Sequence, residues 1–244
     1  LRSQPVASDA LAISVTAKSG SLLGSFSGQL VVQSLAKAQS AYSENIASRS
    51  APIGQGNLSL TVGAAVFSIT IDGSNDSLDG LATAINAAGS GVTASVINDA
   101  GAFKLVLKGQ SGAANAFALT ADVTAPPSLQ RFTSAAMTTG QVARDALFTL
   151  DGVGYRRQSN TIDDVLPGMN LILKKADLLA TISISATRPS DTIKQTMADF
   201  VAVFNTLKKD LEAARKTNNG NSSLRAFERQ LNGFIGQPLA SHAS

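Results

Sequence analysis

Cysteine and tryptophan are both absent from this 244-residue chain, and histidine occurs once, as His242. The missing cysteines exclude disulfides, thiolate chemistry and thiolate-bound zinc. A single histidine near the C-terminal end leaves nothing from which to build a Ser-His-Asp triad or a histidine metal centre. Aromatics make up only 5% of the residues, so any core must be built from Val, Ile, Leu and Ala. Charged residues are 15% and the net charge is +3, with Lys174-Lys175 and Lys208-Lys209 as isolated pairs. No basic stretch interleaved with aromatics offers a nucleic-acid surface. No apolar run reaches membrane-span length, so no membrane partner is expected. No signal peptide is recognisable, and the chain opens on Leu1, which reads as a piece of a longer protein. Freedom from cysteine suits the cytosol, and equally a chain threaded unfolded through an export channel.

Gly, Ser, Thr, Asn and Ala are plentiful, the composition of a β-rich, many-turned chain. Leu11 to Thr16 alternates apolar with polar, and with Ser27 to Gln33 it reads as a hairpin. Ala36 to Ser50 reads as a connector, closed by Pro52, Gly54 and Gly56. Leu58 to Val62 and Val66 to Ile71 predict a second hairpin. Ser77 is placed to cap a helix carrying Leu81, Ile85 and Ala88 and stopping at Gly89. Val92 to Ile97 and Phe103 to Leu107 follow as strands, giving a β-β-α-β-β unit, and Phe117 to Val123 supplies an edge strand before Pro126-Pro127. A degenerate second copy starts at Ala146: a strand, the Asp151-Gly152 turn, a strand, a short helical turn in SNTIDDVLPG, then strands in MNLILKKA and ATISISA.

From Ser190 onward the period changes. Ile193, Met197, Phe200, Phe204, Leu207 and Leu211 fall at alternating spacings of four and three, the seam of a helix lying against another helix. Asn218-Asn219-Gly220 ends it, and Leu224, Phe227, Leu231 and Phe234 continue the spacing on a second helix, making an antiparallel αα-hairpin.

Reactive constellations are weak. Ser34-Leu-Ala-Lys37 spells S-x-x-K without the accompanying motifs of serine acylases. Asp72-Gly-Ser-Asn-Asp76 resembles half of a calcium loop, but Ser77 and Thr83 stand where glycine and glutamate belong, so a strand-end turn and helix cap is the expected role. Asp163-Asp164 reads as the acidic first turn of a short helix behind a cap at Asn160-Thr161. Gly54-Gln-Gly56 and Gly152-Val-Gly154 are too short for a dinucleotide fingerprint. With no nucleophile, base or metal set, no enzyme activity and no cofactor are expected.

Several stretches carry a family resemblance. GNLSLTVG, FSITID, SLDGLATAINAAGSGVTASVIND and FKLVLKGQSGAANAFALT resemble the flagellin hook IN motif. ARDALFTLDGVGYRRQSNTIDDVLPGMNLILKKA, followed by DTIKQTMADFVAVFNTLKKDL, resembles the C-terminal region of the flagellar hook-associated protein 2 family, the filament cap. The resemblance implies an α+β protein with two β-rich head domains, one inserted in the other, and a truncated helical leg. The boundaries expected are 1–50 with 135–187 for the discontinuous head, 51–134 for the inserted head and 188–244 for the leg. It further implies export through the flagellar type III system with a chaperone, a homo-oligomeric, pentamer-like cap at the extracellular filament tip, and flagellin as partner. Two rival readings are a secreted adhesin binding host mucin or glycan, and a hook–filament junction protein. Glycan sites favour exposed aromatic platforms and this chain has only two tyrosines, Tyr42 and Tyr155; a junction protein is expected to carry one head rather than two.

Overall fold

Alternating apolar and polar residues fix two faces on each strand, and burial follows that period closely. In Phe26–Ser34 the side chains of Leu30 and Val32 are buried while Ser27, Gln29 and Gln33 are exposed. A computed structural model describes residues 4–21, 23–187, 190–217, 223, 226–227 and 229–230. The strands are β1 (Gln4–Ala7), β2 (Ile13–Ala17), β3 (Phe26–Ser34), β4 (Ala38–Tyr42), β5 (Gly56–Val62), β6 (Ala65–Ile71), β7 (Thr93–Asp99), β8 (Ala102–Ser111), β9 (Phe117–Ala121), β10 (Thr138–Gln141), β11 (Ala146–Leu150), β12 (Val153–Arg157), β13 (Thr161–Ile162), β14 (Met169–Leu173) and β15 (Ile182–Thr187). The helices are α1 (Leu78–Ala87), α2 (Pro127–Gln130) and α3 (Ser190–Thr217). The chain divides into two compact units, Ser3–Thr187 and a second unit that contains α3.

Within Ser3–Thr187 the buried side chains form two separate clusters. One draws on residues 12–36 and 146–186, where the sheet β1-β15-β3-β11-β12 and the smaller sheet β13-β14-β2 share Leu30, Phe148, Leu171 and Ile184. The other draws on residues 41–137, where β10-β4-β8-β7 and β6-β5-β9 share Leu60, Leu105 and Leu119 with Leu81 and Ile85 of α1. Among the described residues no charged side chain is buried, and Ser43 is the one buried polar residue. Burial of these apolar residues is therefore the main favourable term for each.

Helix α1 forms where its cap dictates. Ser77 is extended and its hydroxyl accepts from the Gly80 amide at 3.0 Å, while Leu78, Leu81, Ala82 and Ile85 face the core. The β5/β6 hairpin pairs Val62 with Ala65 and keeps register to Gly56 and Ile71. β9 joins the same sheet as an edge, and the β7/β8 and β11/β12 hairpins form as the spacing predicts.

Four expectations need correction. The segments around Leu11–Thr16 and Ser27–Gln33 do form strands, but not a hairpin: β2 pairs with β14, whereas β3 pairs with β15 and β11 in the other sheet. Periodicity selects a face and leaves the neighbour open. The supposed connector at 36–50 contains β4, held between β10 and β8. The proline pair does not merely close a region, because Pro127 opens α2 at a position where a missing N–H is harmless. Finally, SNTIDDVLPG is not helical. Thr161 and Ile162 pair with β14, and the side chains that looked like caps are engaged elsewhere: Asn160 with Ala36 and Asp164 with Arg157.

Candidate interaction surfaces

Most of the polar residues that the sequence marks as possible reactive centres are bonded within the fold. The Ser34 hydroxyl donates to the Asp145 carbonyl at 3.2 Å, and Lys37 forms a main-chain bridge to Arg144. Asp72 accepts from the Ser74 hydroxyl and amide, which hold its carboxyl below the ordinary range, and Asp76 accepts from the amides of Ile53 and Gly54, both at 2.7 Å. The segment is a turn and strap in front of α1. Asp164 takes a forked contact from Arg157, which lowers the Asp164 carboxyl; the Asp163 carbonyl accepts from the Lys18 ammonium. Arg49 similarly grips Asp79, in the first turn of α1, through two bonds of 2.7 Å. Among the described residues no three His, Cys, Asp or Glu side chains converge as a metal site, and no helix is long and apolar enough to cross a membrane.

The larger surfaces are apolar. On α3, Ile193, Met197, Phe200 and Leu207 are exposed, Phe204 is half-buried and Leu211 is buried. The Phe200 and Phe204 rings stack with centroids 6.4 Å apart, as an i, i+4 pair on one face does. Phe227 is helical and exposed; Leu224, Leu231 and Phe234 lie outside the described residues. A cleft of about 590 Å³ runs beside β9 and α2, lined by Leu119, Ala121, Val123, Gln130 and Arg131.

A further relationship could not be found by spacing, because it joins residues far apart in sequence. Where the chain passes from one core to the other, at 36–38 and again at 142–146, the two crossings are bonded to each other. The Lys37 amide donates to the Arg144 carbonyl at 2.8 Å, and the Arg144 amide returns the bond at 3.0 Å. The Asp145 carboxylate accepts from the Ala113 amide at 2.7 Å, and Gly112, at φ +102°, packs so closely that a Cβ there would lie 2.5 Å from Gln158 Cβ. Side chains here act as substitute backbone. Asn160 closes on Ala36 through both halves of its amide, and Gln39 does the same to Phe117, at 2.8 and 2.9 Å. At this joint the sequence shows Gln39 and Asn160 only as polar residues beside strands, and their positions do not say what they touch.

Comparison with known proteins bears on these surfaces. Residues 143–235 match the family described as flagellar hook-associated protein 2 C-terminus, and residues 57–110 match the flagellin hook IN motif. The second match covers β5 through most of β8, and the first runs from just before β11 past the end of α3. The B-type flagellar hook-associated protein 2 of Pseudomonas aeruginosa is 29% identical over 203 residues, 74% of this chain; the chain spans 42% of that relative's length. Among solved structures, FliD (HAP2) from Pseudomonas aeruginosa superposes with a TM-score of 0.63 at 26% identity, covering 82% of this chain and 94% of that one. The D2-D3 domains of the Escherichia coli flagellar cap protein FliD give a TM-score of 0.69 at 24% identity over 77% of this chain and 98% of that one, a likeness of fold. In the order of its two matched segments and in the fold that carries them, this chain is similar to flagellar hook-associated protein 2, with a segment in its middle that matches the flagellin hook IN motif.

Proposed function

We propose that the chain is part of a filament cap protein, which oligomerises at the distal tip of the growing flagellum and promotes folding and insertion of exported flagellin. The observation that carries this reading is the shared fold and sequence with FliD (HAP2) of Pseudomonas aeruginosa across most of both chains. In this reading residues 1–50 with 135–187 form one head domain, 51–134 an inserted head and 188–244 a leg; the two separate cores support two heads, with Ala41, Ile46 and Met137 packing on the inserted head's side, and the change of period at Ser190 supports the leg. The protein acts by contact alone. Its partners are copies of itself, flagellin and, before secretion, an export chaperone, and its place is outside the cell.

The leg seam of Ile193, Met197, Phe200, Phe204, Leu207 and Leu211, continued by Leu224, Phe227 and Leu231, packs against helices of the assembled cap. Exposed apolar side chains in a regular stripe along α3 support that role. The decisive experiment is deletion of the full-length gene in the source bacterium. The deletion strain should release flagellin monomers into the medium and make few filaments, and re-expression should restore them. Normal filaments in the deletion strain would remove the cap assignment.

A further inference from the structure

A chain that builds two cores by leaving the first and returning to it crosses twice, and two short crossings are the usual place for a hinge. Here the crossings are short but not loose. β3 ends at Ser34 and β4 begins at Ala38, while β10 ends at Gln141 and β11 begins at Ala146. One crossing is Leu35, Ala36 and Lys37 and the other is Val142, Ala143, Arg144 and Asp145, with no glycine or proline in either.

Strand pairing runs straight through them. Ser40 faces Gln141 in the lobe built on the second core, Lys37 faces Arg144 between the lobes, and Ser34 faces Leu147 in the lobe built on the first. Each move of three residues along one strand is matched by three along the other, so the three pairs share one register. Beyond them Ala41 and Tyr42 face Thr139 and Thr138, and Val32, Val31 and Leu30 face Phe148, Thr149 and Leu150. Residues 30–42 and 138–150 are therefore one antiparallel ribbon that starts in one core and ends in the other. It carries two register shifts, one in each lobe: Gly140 is the extra residue on one strand and Gln33 on the other. Such bulges bend and twist a ribbon at fixed points without opening it.

The crossing is also gripped from both lobes. From the first, Asn160 takes both main-chain groups of Ala36, and the Ser34 hydroxyl donates to the Asp145 carbonyl. From the second, the Gly112 amide donates to the Lys37 carbonyl at 3.3 Å, and the Ala113 amide donates to the Asp145 carboxylate at 2.7 Å. Asp145 is thus tied to β3 by its main chain and to the Ala113–Asn115 turn by its side chain.

We infer that this ribbon is a rigid spine that makes the two lobes move as one body, so that a push on one lobe is carried to the other instead of being taken up at a hinge. A hinge needs a few residues free to change φ and ψ. Rotation at Lys37 or Arg144 would break the reciprocal bonds of 2.8 and 3.0 Å between them and pull on the Ala36 and Asp145 contacts with them. The two cores are separate in packing and coupled in motion. The inference concerns the unit Ser3–Thr187 alone and does not depend on the cap assignment.

With no native cysteine, spin labels attach only where a cysteine is introduced. Thr16 on β2 and Ser95 on β7 are exposed and belong to different lobes; Val66 on β6 and Ser95 belong to the same lobe and form the control pair. Both double-cysteine variants are made in the 244-residue chain, and pulsed electron spin resonance reads the distance distributions. The Thr16→Cys/Ser95→Cys distribution should be a single peak as narrow as that of Val66→Cys/Ser95→Cys. A broad or two-peaked distribution between the lobes overturns the proposal. Arg144→Pro removes the amide that donates to Lys37 in the middle of the ribbon. In that background the inter-lobe pair should lose its single narrow peak while the control pair keeps its own. An unchanged inter-lobe peak would mean that something other than the ribbon holds the lobes, and overturns the spine. Amide exchange in the unsubstituted chain needs no variant: the Lys37 and Arg144 amides should exchange as slowly as the bonded amides of the ribbon inside the lobes. Fast exchange at these two positions alone identifies a hinge and overturns the proposal.

Discussion

Asn160 and Ala36 are 124 residues apart in sequence, yet the Asn160 side chain makes two hydrogen bonds to the Ala36 main chain, accepting from its amide at 2.7 Å and donating to its carbonyl at 3.0 Å. The geometry is that of a neighbouring strand, supplied by one side chain. Ala36 is the last buried residue of β3's core before the chain crosses toward the other cluster, so this clasp fixes where the crossing begins.

Removing the clasp strands two main-chain groups in a partly buried place. Asn160→Ala should destabilise the chain by about 1 to 3 kcal/mol, the penalty for unsatisfied buried polar groups, measured by urea denaturation. Asn160→Asp keeps the acceptor and loses the donor, setting a carboxylate against the Ala36 carbonyl. It should be weakened at neutral pH and partly restored in acid, where the protonated carboxyl can donate again. An unchanged midpoint for both variants would show that the joint is held by its other bonds.

Gly80 reverses the usual rule for helices. Glycine inside a helix is ordinarily improved by alanine by roughly 1 kcal/mol, and Gly80 lies in the first turn of α1. A Cβ at that position would meet the Asn75 carbonyl oxygen at 2.0 Å, and that residue belongs to the Asp72–Asp76 turn, whose bonds hold it in place. Gly80→Ala should therefore destabilise by about 1 to 3 kcal/mol, as overpacking does. A thermal melt that rises instead would mean that the turn yields freely.

The Arg49 and Asp79 pair gives a signed pH dependence. The guanidinium bonds hold the Asp79 carboxyl below its ordinary range, so the folded state binds a proton there less readily than the unfolded chain. Stability from this pair is present above the unfolded carboxyl pKa of about 3.9 and is lost as pH falls through the lower folded value. Both side chains are largely exposed, so the effect is small and screened by salt. Melting temperatures taken from pH 7 down to pH 2 should fall less steeply in Arg49→Ala than in the parent, and most of the difference should vanish at high salt. Asp164, lowered by Arg157, behaves with the same sign.

Local chemistry made much of this legible in the sequence, and distance in the chain hid the rest. Ser77, Leu81 and Ile85 lie within three turns, so cap and face can be read directly. The link between Leu58–Val62 and Val66–Ile71 is short enough to force pairing. The partners of β2 and β3 are different: β14 and β15 lie some 150 residues downstream, and nothing in a period of two chooses between them and each other. Asn160 and Asp164 misled for a related reason. Their side chains suit a helix cap and an acidic first turn, but Ala36 and Arg157 claim them once the chain has folded. Among the interaction surfaces, the α3 stripe is visible as spacing.

Phe200 separates a folding role from a docking role. Its side chain is 54% exposed on α3, and it stacks on the half-buried Phe204. Phe200→Ala in the 244-residue chain should move the melt little, within about 0.5 kcal/mol as for most exposed positions. On the proposed role of the α3 stripe as an assembly contact, the same substitution in the full-length protein removes an aromatic anchor of the kind that dominates association. The expected result is a wild-type melt for the isolated chain together with a loss of oligomer, read by sedimentation of the full-length variant. Loss of helix in the isolated chain would instead make Phe200 part of the leg's own core, and an unaltered oligomer would take it out of the assembly contact.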